Sequence, residues 1–118
     1  MWRGGFSKHL LQHWQGSKLH LVDPWLEGGP YGASRDDDMN TMLANVEPFE
    51  GRYQVHRGYS TVVALNFADD SLDFVYLDAL HSYRDMMNDM LAWFPKVRVE
   101  LPVTRSRSPV CVASRLPV

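Results

Sequence analysis

Phe6, Leu10, Leu11 and Trp14 recur at helical spacing and Gly16 follows, which predicts an amphipathic helix over residues 6–15 with a glycine stop. The pair Gly4-Gly5 therefore stands at the N-terminus of the first helix. Leu19-His20-Leu21-Val22 is a short apolar run closed by Asp23-Pro24, and proline stops propagation there. It reads as a buried strand ending in a carboxylate. Residues 27–35 carry loop chemistry. Asp36-Asp37-Asp38 reads as a solvated helix start, where carboxylates face the positive end of the helix dipole. Met39, Met42, Leu43 and Val46 continue a helical stripe up to Pro48.

Tyr53-Gln54-Val55-His56 forms a second short strand pattern, with Arg57-Gly58 as a turn and Ser60 as the N-cap of a helix through Phe67. Asp69-Asp70-Ser71 is a turn. Phe74-Val75-Tyr76-Leu77 is a continuous apolar run of the kind found in strands covered on both faces, and it too ends in a carboxylate, Asp78. Ser82-Tyr83-Arg84-Asp85 has the form of a capping box with aspartate in the place of glutamate. Tyr83, Met86, Met87, Met90, Leu91 and Phe94 lie on one face of the helix that follows, and Pro95 ends it. Helices and strands alternate with short connections, the order expected of a parallel sheet with helices on its faces, so the fold class is α/β. From Val99 the period is lost, and three prolines and Arg/Ser alternation take over. Residues 1–98 thus read as the domain and 99–118 as an irregular or disordered tail.

Composition narrows the field. With 118 residues, 45% hydrophobic and 22% charged, the chain has the make-up of one globular domain, and a second domain would not fit. The formal net charge of −2 gives no general electrostatic reason to bind nucleic acid or an anionic membrane. Cys111 is the lone cysteine, so no intrachain disulfide can form, and no apolar run approaches the roughly 20 residues that span a bilayer. The N-terminus has no apolar stretch before its first glycines, and a cytoplasmic location is the expectation.

Open parallel sheets bind ligands beyond the carboxyl ends of their strands, where loops and helix N-termini converge. Gly4-Gly5 falls on that edge, where bare backbone N–H groups suit an anionic or nucleotide ligand. Asp23 follows about 18 residues after Gly5, close to the roughly 20 of nucleotide folds in which an acidic residue accepts from ribose hydroxyls. Asp78 and His81 place a carboxylate and an imidazole three apart at another strand end. Each also has a plainer reading: a turn for the glycines, punctuation for Asp23-Pro24, a helix cap for Asp78, a loop histidine for His81. His9 and His13 lack a third metal ligand, and His20 and His56 carry no argument from sequence.

Gly4-Gly5-Phe6-Ser7, Leu19 to Trp25, His56 to Ser60, Ser71 to Tyr83 and Asp89 to Arg98 together resemble the class I S-adenosylmethionine-dependent methyltransferases. The likeness is to the small-molecule, macrocin O-methyltransferase-like branch. It covers residues 2–98 in colinear order, and Asp73 to Tyr83 is its most specific part. The resemblance implies a Rossmann-like parallel sheet and methyl transfer to the hydroxyl of a small-molecule acceptor. By the same resemblance, Gly5 lets the chain pass close to S-adenosylmethionine, Asp23 takes the ribose hydroxyls, and Pro24 and Trp25 flank the adenosine. Ser60 borders the adenine, Asp78 matches a Mg²⁺ ligand, and His81 matches a general base. The family's strand and Glu-x-Gly motif before the glycines, and its Pro-Gly-Gly continuation after the Pro95 to Arg98 segment, are not in this sequence. The resemblance therefore implies a sheet truncated at both ends, without its first and C-terminal strands. Such a sheet exposes an edge through which copies could pair into a homo-oligomer. The competing readings are a non-catalytic Rossmann-like remnant that binds a nucleoside or a protein partner, and a fragment of a dinucleotide oxidoreductase. The Asp78 to Tyr83 segment argues against the latter, because hydride transfer has no need of that carboxylate and imidazole.

Overall fold

Every residue of Leu19–Asp23 is buried, and this strand is the axis about which the other elements are arranged. A computed structural model describes residues 4–25, 35–77, 82–98 and 110–113. In chain order the elements are α1 (Gly5–His13), β1 (Leu19–Asp23), α2 (Arg35–Val46), β2 (Tyr53–Arg57), α3 (Ser60–Val63), β3 (Val75–Leu77), α4 (Tyr83–Trp93) and β4 (Val110–Ala113). Single 3₁₀ turns extend α2, α3 and α4 at Glu47–Phe49, Ala64–Asn66 and Phe94–Lys96. Among the described residues the sheet has four strands in the order β2-β1-β4-β3, and every pairing in it is parallel. This is a mixed α/β architecture compatible with a Rossmann-like fold.

The two faces of the sheet are covered by different helices. Leu19 and Leu21 of β1 join Leu11, Trp25, Met42 and Val46 in one core, the α1 and α2 side. Val22 joins Val63, Ala64, Leu72 and Trp93 in a second core, the α3 and α4 side. The split follows from the period of two along a strand: consecutive side chains of β1 point into opposite cores. A strand covered on both faces needs side chains that are apolar or partnered, and each fully buried leucine or valine contributes about 1.5–3 kcal/mol.

Three expectations change on contact with the structure. Val75, Tyr76 and Leu77 are not covered on both faces, since β3 is an outer strand and Tyr76 is 46% exposed, its ring 4.8 Å from that of Phe6. Residues 110–113, read as irregular tail, form β4 between β1 and β3. The reason lies in the run Val110-Cys111-Val112-Ala113, four apolar residues with two β-branched ones, enough to fill a short interior strand despite the prolines around it. β4 is thus an interior strand of this sheet, supplied by a stretch in which no strand was expected. Finally, the apolar stripe of α4 is turned outward: Tyr83, Met86, Met90, Leu91 and Phe94 are exposed, whereas Asp89 and Trp93 are buried. The N-cap half of the capping box holds: the Ser82 hydroxyl accepts from the Asp85 N–H at 3.1 Å, and the Asp85 carboxylate accepts from that hydroxyl at 2.6 Å.

The glycine pair divides its labour. Gly4 is the N-cap of α1 at φ 79°, a left-handed conformation, and a Cβ there would meet Met42 Cγ at 2.8 Å. A Cβ on Gly5 meets nothing within 4 Å. Gly4→Ala should therefore lower stability by about 2 kcal/mol, and Gly5→Ala should change it by less than about 0.5 kcal/mol, in urea unfolding. Equal effects of the two substitutions would contradict this assignment.

Candidate functional site

The carboxyl ends of β1 and β2 meet in a small polar cluster built from both strands. Asp23 closes β1 and is buried. One oxygen of its carboxylate accepts from the Trp25 N–H at 2.9 Å, an Asx-type turn that brings the chain round after Pro24. Its backbone carbonyl accepts from the Gly58 N–H at 3.1 Å, which ties the end of β1 to the turn after β2. Trp25 is buried at φ 41°, a conformation unusual for any residue but glycine. A non-glycine residue stays there only if its surroundings hold it.

Arg57 does the holding. Its guanidinium donates to the carbonyls of Pro24 at 3.2 Å and Trp25 at 2.8 Å, and to the Asp36 carboxylate at 2.7 Å. One side chain at the end of β2 thus fastens the turn after β1 to the first turn of α2. The planar fork of arginine suits several acceptors at fixed angles, which a lysine ammonium would not match. Asp36 is therefore part of a clamp, and Asp38 is buried, so the acidic start of α2 is not simply solvated. Arg57 read as a turn residue in the sequence. Its one legible signal was a cation directly after a strand that ends level with Asp23.

Of the residues singled out from the sequence, Asp23, Pro24 and Trp25 come together with the turn that leads from Arg57 to Ser60. Gly5 is the first residue of α1 and exposed, next to Gly4, which packs on Met42 of α2. Ser60 is buried in the first turn of α3, and Tyr59 is the N-cap in its place. The Ser60 hydroxyl accepts from the Trp93 indole N–H at 2.7 Å, so it is engaged inside the protein instead of capping the helix. Asp78 and His81 lie outside the described residues. Among the described residues no group of three His, Cys, Asp or Glu side chains could hold a metal ion, and no helix is long and apolar enough to cross a membrane.

A histidine pair escaped the sequence reading. His20 of β1 and His56 of β2 share a strand face and a hydrogen bond, Nδ1 to Nε2 at 2.9 Å, and the Phe67 ring stands edge-on to His20 at 4.9 Å. Two histidines on adjacent strands can be paired only once the register is known. Burial, then the neighbouring His56 and Lys18, push His20 down to about 4, and burial lowers His56 as well.

The fold puts this cluster at the carboxyl edge of a parallel α/β sheet, the edge at which such folds bind nucleotide-containing cofactors. Residues 1–100 match a family model described as a methyltransferase domain, and the chain belongs to that family. No curated protein and no solved structure matches the chain.

The histidine pair has a measurable consequence. A histidine whose folded pKa is depressed is protonated more readily when unfolded, so the unfolded state binds more protons between about 4 and 6.5 and stability falls as pH drops through that window. The loss attributable to His20 should reach at most about 3 kcal/mol. Denaturant unfolding of the protein and of His20→Leu across that window checks it. The variant should show the shallower pH dependence, and an unchanged slope would contradict the role of the pair.

Proposed function

We propose that this methyltransferase domain binds S-adenosylmethionine at the carboxyl ends of β1 and β2 and directs its methyl group to the hydroxyl of a small-molecule acceptor. The observation that carries the proposal is the buried Asp23 carboxylate at the end of the interior strand, held by the Trp25 N–H and backed by the Arg57 clamp. A carboxylate fixed in that way offers acceptor oxygens to a pair of ribose hydroxyls without having to reorganise. The open space beside Gly5 suits close approach of a ligand to the start of α1. Trp25 and Pro24, both buried, make the apolar wall next to the carboxylate. Ser60 contributes through the backbone turn that it anchors, since its hydroxyl is engaged with Trp93.

When bound, the sulfonium supplies an electrophilic methyl carbon. The residues of this chain then have to hold the acceptor oxygen in line with it and take up one proton. The chemistry the cofactor would supply is transfer of that methyl from sulfur to the acceptor oxygen, with S-adenosylhomocysteine as the leaving product. His81 is proposed as the base that receives the hydroxyl proton, an imidazole of ordinary pKa near 6.5 being suited to the task. Asp78 is proposed as a Mg²⁺ ligand. The described residues include no cluster that would complete such a site, and no step is routed through a metal. The outer strands β2 and β3 leave edges at which a second copy could pair.

Calorimetric titration of the purified chain with S-adenosylhomocysteine tests the proposal. Micromolar binding that weakens at least roughly tenfold in Asp23→Ala is the expected result, the loss of charge-assisted hydrogen bonds to the ribose. Arg57→Lys should weaken binding as well, by releasing the turn that carries Trp25. A folded protein that gives no heat would contradict the cofactor site and favour a non-catalytic remnant.

A further inference from the structure

The face that α4 turns inward carries a carboxyl, Asp89, beside the core residue Trp93. Asp89 is completely buried there, one turn before Trp93, while Met90 and Leu91 beside it are exposed. Neither carboxylate oxygen of Asp89 has a hydrogen bond of ordinary geometry. Burial pushes this carboxyl above the usual range, the Ser60 hydroxyl pulls the other way, and Asp85 on the same helix adds to the upward push. A buried carboxyl without full hydrogen bonding costs stability, and an apolar residue would serve packing better.

Ser60 explains its presence. The Trp93 N–H occupies one lone pair of the Ser60 hydroxyl at 2.7 Å. The proton of that hydroxyl can then turn to Asp89, giving a relay from Trp93 through Ser60 to the carboxyl. Ser60 starts α3, and the Tyr59 carbonyl just before it accepts from the N–H groups of Val62 at 3.1 Å and Val63 at 2.9 Å. Two residues before Ser60, the Gly58 N–H donates to the carbonyl of Asp23. A hydrogen bond from the Ser60 hydroxyl to Asp89 would link that carboxyl, through three consecutive residues of backbone, to the strand end that carries the proposed ribose ligand.

We propose that Asp89 is a positioning residue: it accepts a hydrogen bond from the Ser60 hydroxyl and so fixes the turn from Gly58 to Ser60 against the end of β1. The consequence for binding rests on the reading of that edge as a cofactor site. It also means that the Ser60 hydroxyl faces the protein and that adenosine is met there by backbone.

The test uses the full chain with Asp89→Asn, Asp89→Leu, Ser60→Ala and the Ser60→Ala/Asp89→Leu double variant. Asparagine keeps an acceptor oxygen and discards the buried charge. S-adenosylhomocysteine affinity in Asp89→Asn should stay within about twofold of the parent. Asp89→Leu and Ser60→Ala should each weaken it roughly tenfold, and the double variant no further, because both break one relay. Thermal unfolding supplies a second readout. A carboxyl raised on folding loses stability as pH rises above its ordinary value of 3.8, so Asp89→Asn should melt higher than the parent at neutral pH. Parent-like affinity in Asp89→Leu, or additive losses in the double variant, would overturn the proposal. If the parent itself does not bind, the cofactor reading falls, and amide exchange decides the relay separately. Val62 and Val63 should then exchange faster in Asp89→Leu and Ser60→Ala but not in Asp89→Asn, and equal rates in all four proteins would overturn it.

Discussion

The structure depends on β1 being paired on both edges and covered on both faces. Its five residues are buried, with β2 on one side and β4 on the other. A strand so enclosed can leave no backbone group unpaired and no side chain polar without a partner. Leu19, Leu21 and Val22 satisfy the second demand by being apolar. His20 satisfies it through His56, at the cost of a proton affinity far below that of a free imidazole. Asp23 satisfies it through the turn that follows, and at that point the demand of the fold becomes the geometry of a site.

Because β1 ends in a buried carboxylate, the turn after it must supply donors. Trp25 supplies one by adopting a left-handed backbone, which Arg57 stabilises from the next strand. Gly58 joins the two strand ends, Ser60 follows, and Trp93 reaches across from α4 to hold Ser60. The proposed cofactor edge is thus a chain of local satisfactions running from β1 to α4. None of its links is a surface ion pair of the kind that contributes little, except the half-exposed contact of Arg57 with Asp36.

Much of this was legible. The periods of Phe6 to Trp14 and Leu19 to Val22, the Asp23-Pro24 stop and the Ser82 to Asp85 capping box all appear close to where they were expected. These features are local: period, propensity and capping act within a few residues. What stayed hidden depends on neighbours distant in the chain. The stripe of methionines and aromatics in α4 has the period of a buried face, yet Asp89 and Trp93 are the residues that are buried, and Trp93 meets α3 through Ser60. The His20 and His56 contact needs a register between two strands, and the reach of Arg57 to Pro24 and Trp25 needs their relative height. Val110 to Ala113 were obscured because a four-residue run gives too little period to stand out from a proline- and serine-rich setting. Asp78 and His81, the part of the sequence that most resembled a catalytic centre, lie outside the described residues, so the roles proposed for them rest on that resemblance alone.

The enclosed position of β1 can be measured directly, because a parallel strand sends alternate residues to alternate neighbours. The Leu19 N–H donates to Arg52 and the Asp23 carbonyl accepts from Gly58, so the odd-numbered residues face β2 and His20 and Val22 face β4. Native-state hydrogen exchange should find the His20 and Val22 amides as protected as that of Leu21, all opening only with global unfolding. Fast exchange at His20 and Val22 beside a protected Leu21 would show that β4 does not close the sheet, and would remove the support on which the site at its carboxyl edge rests.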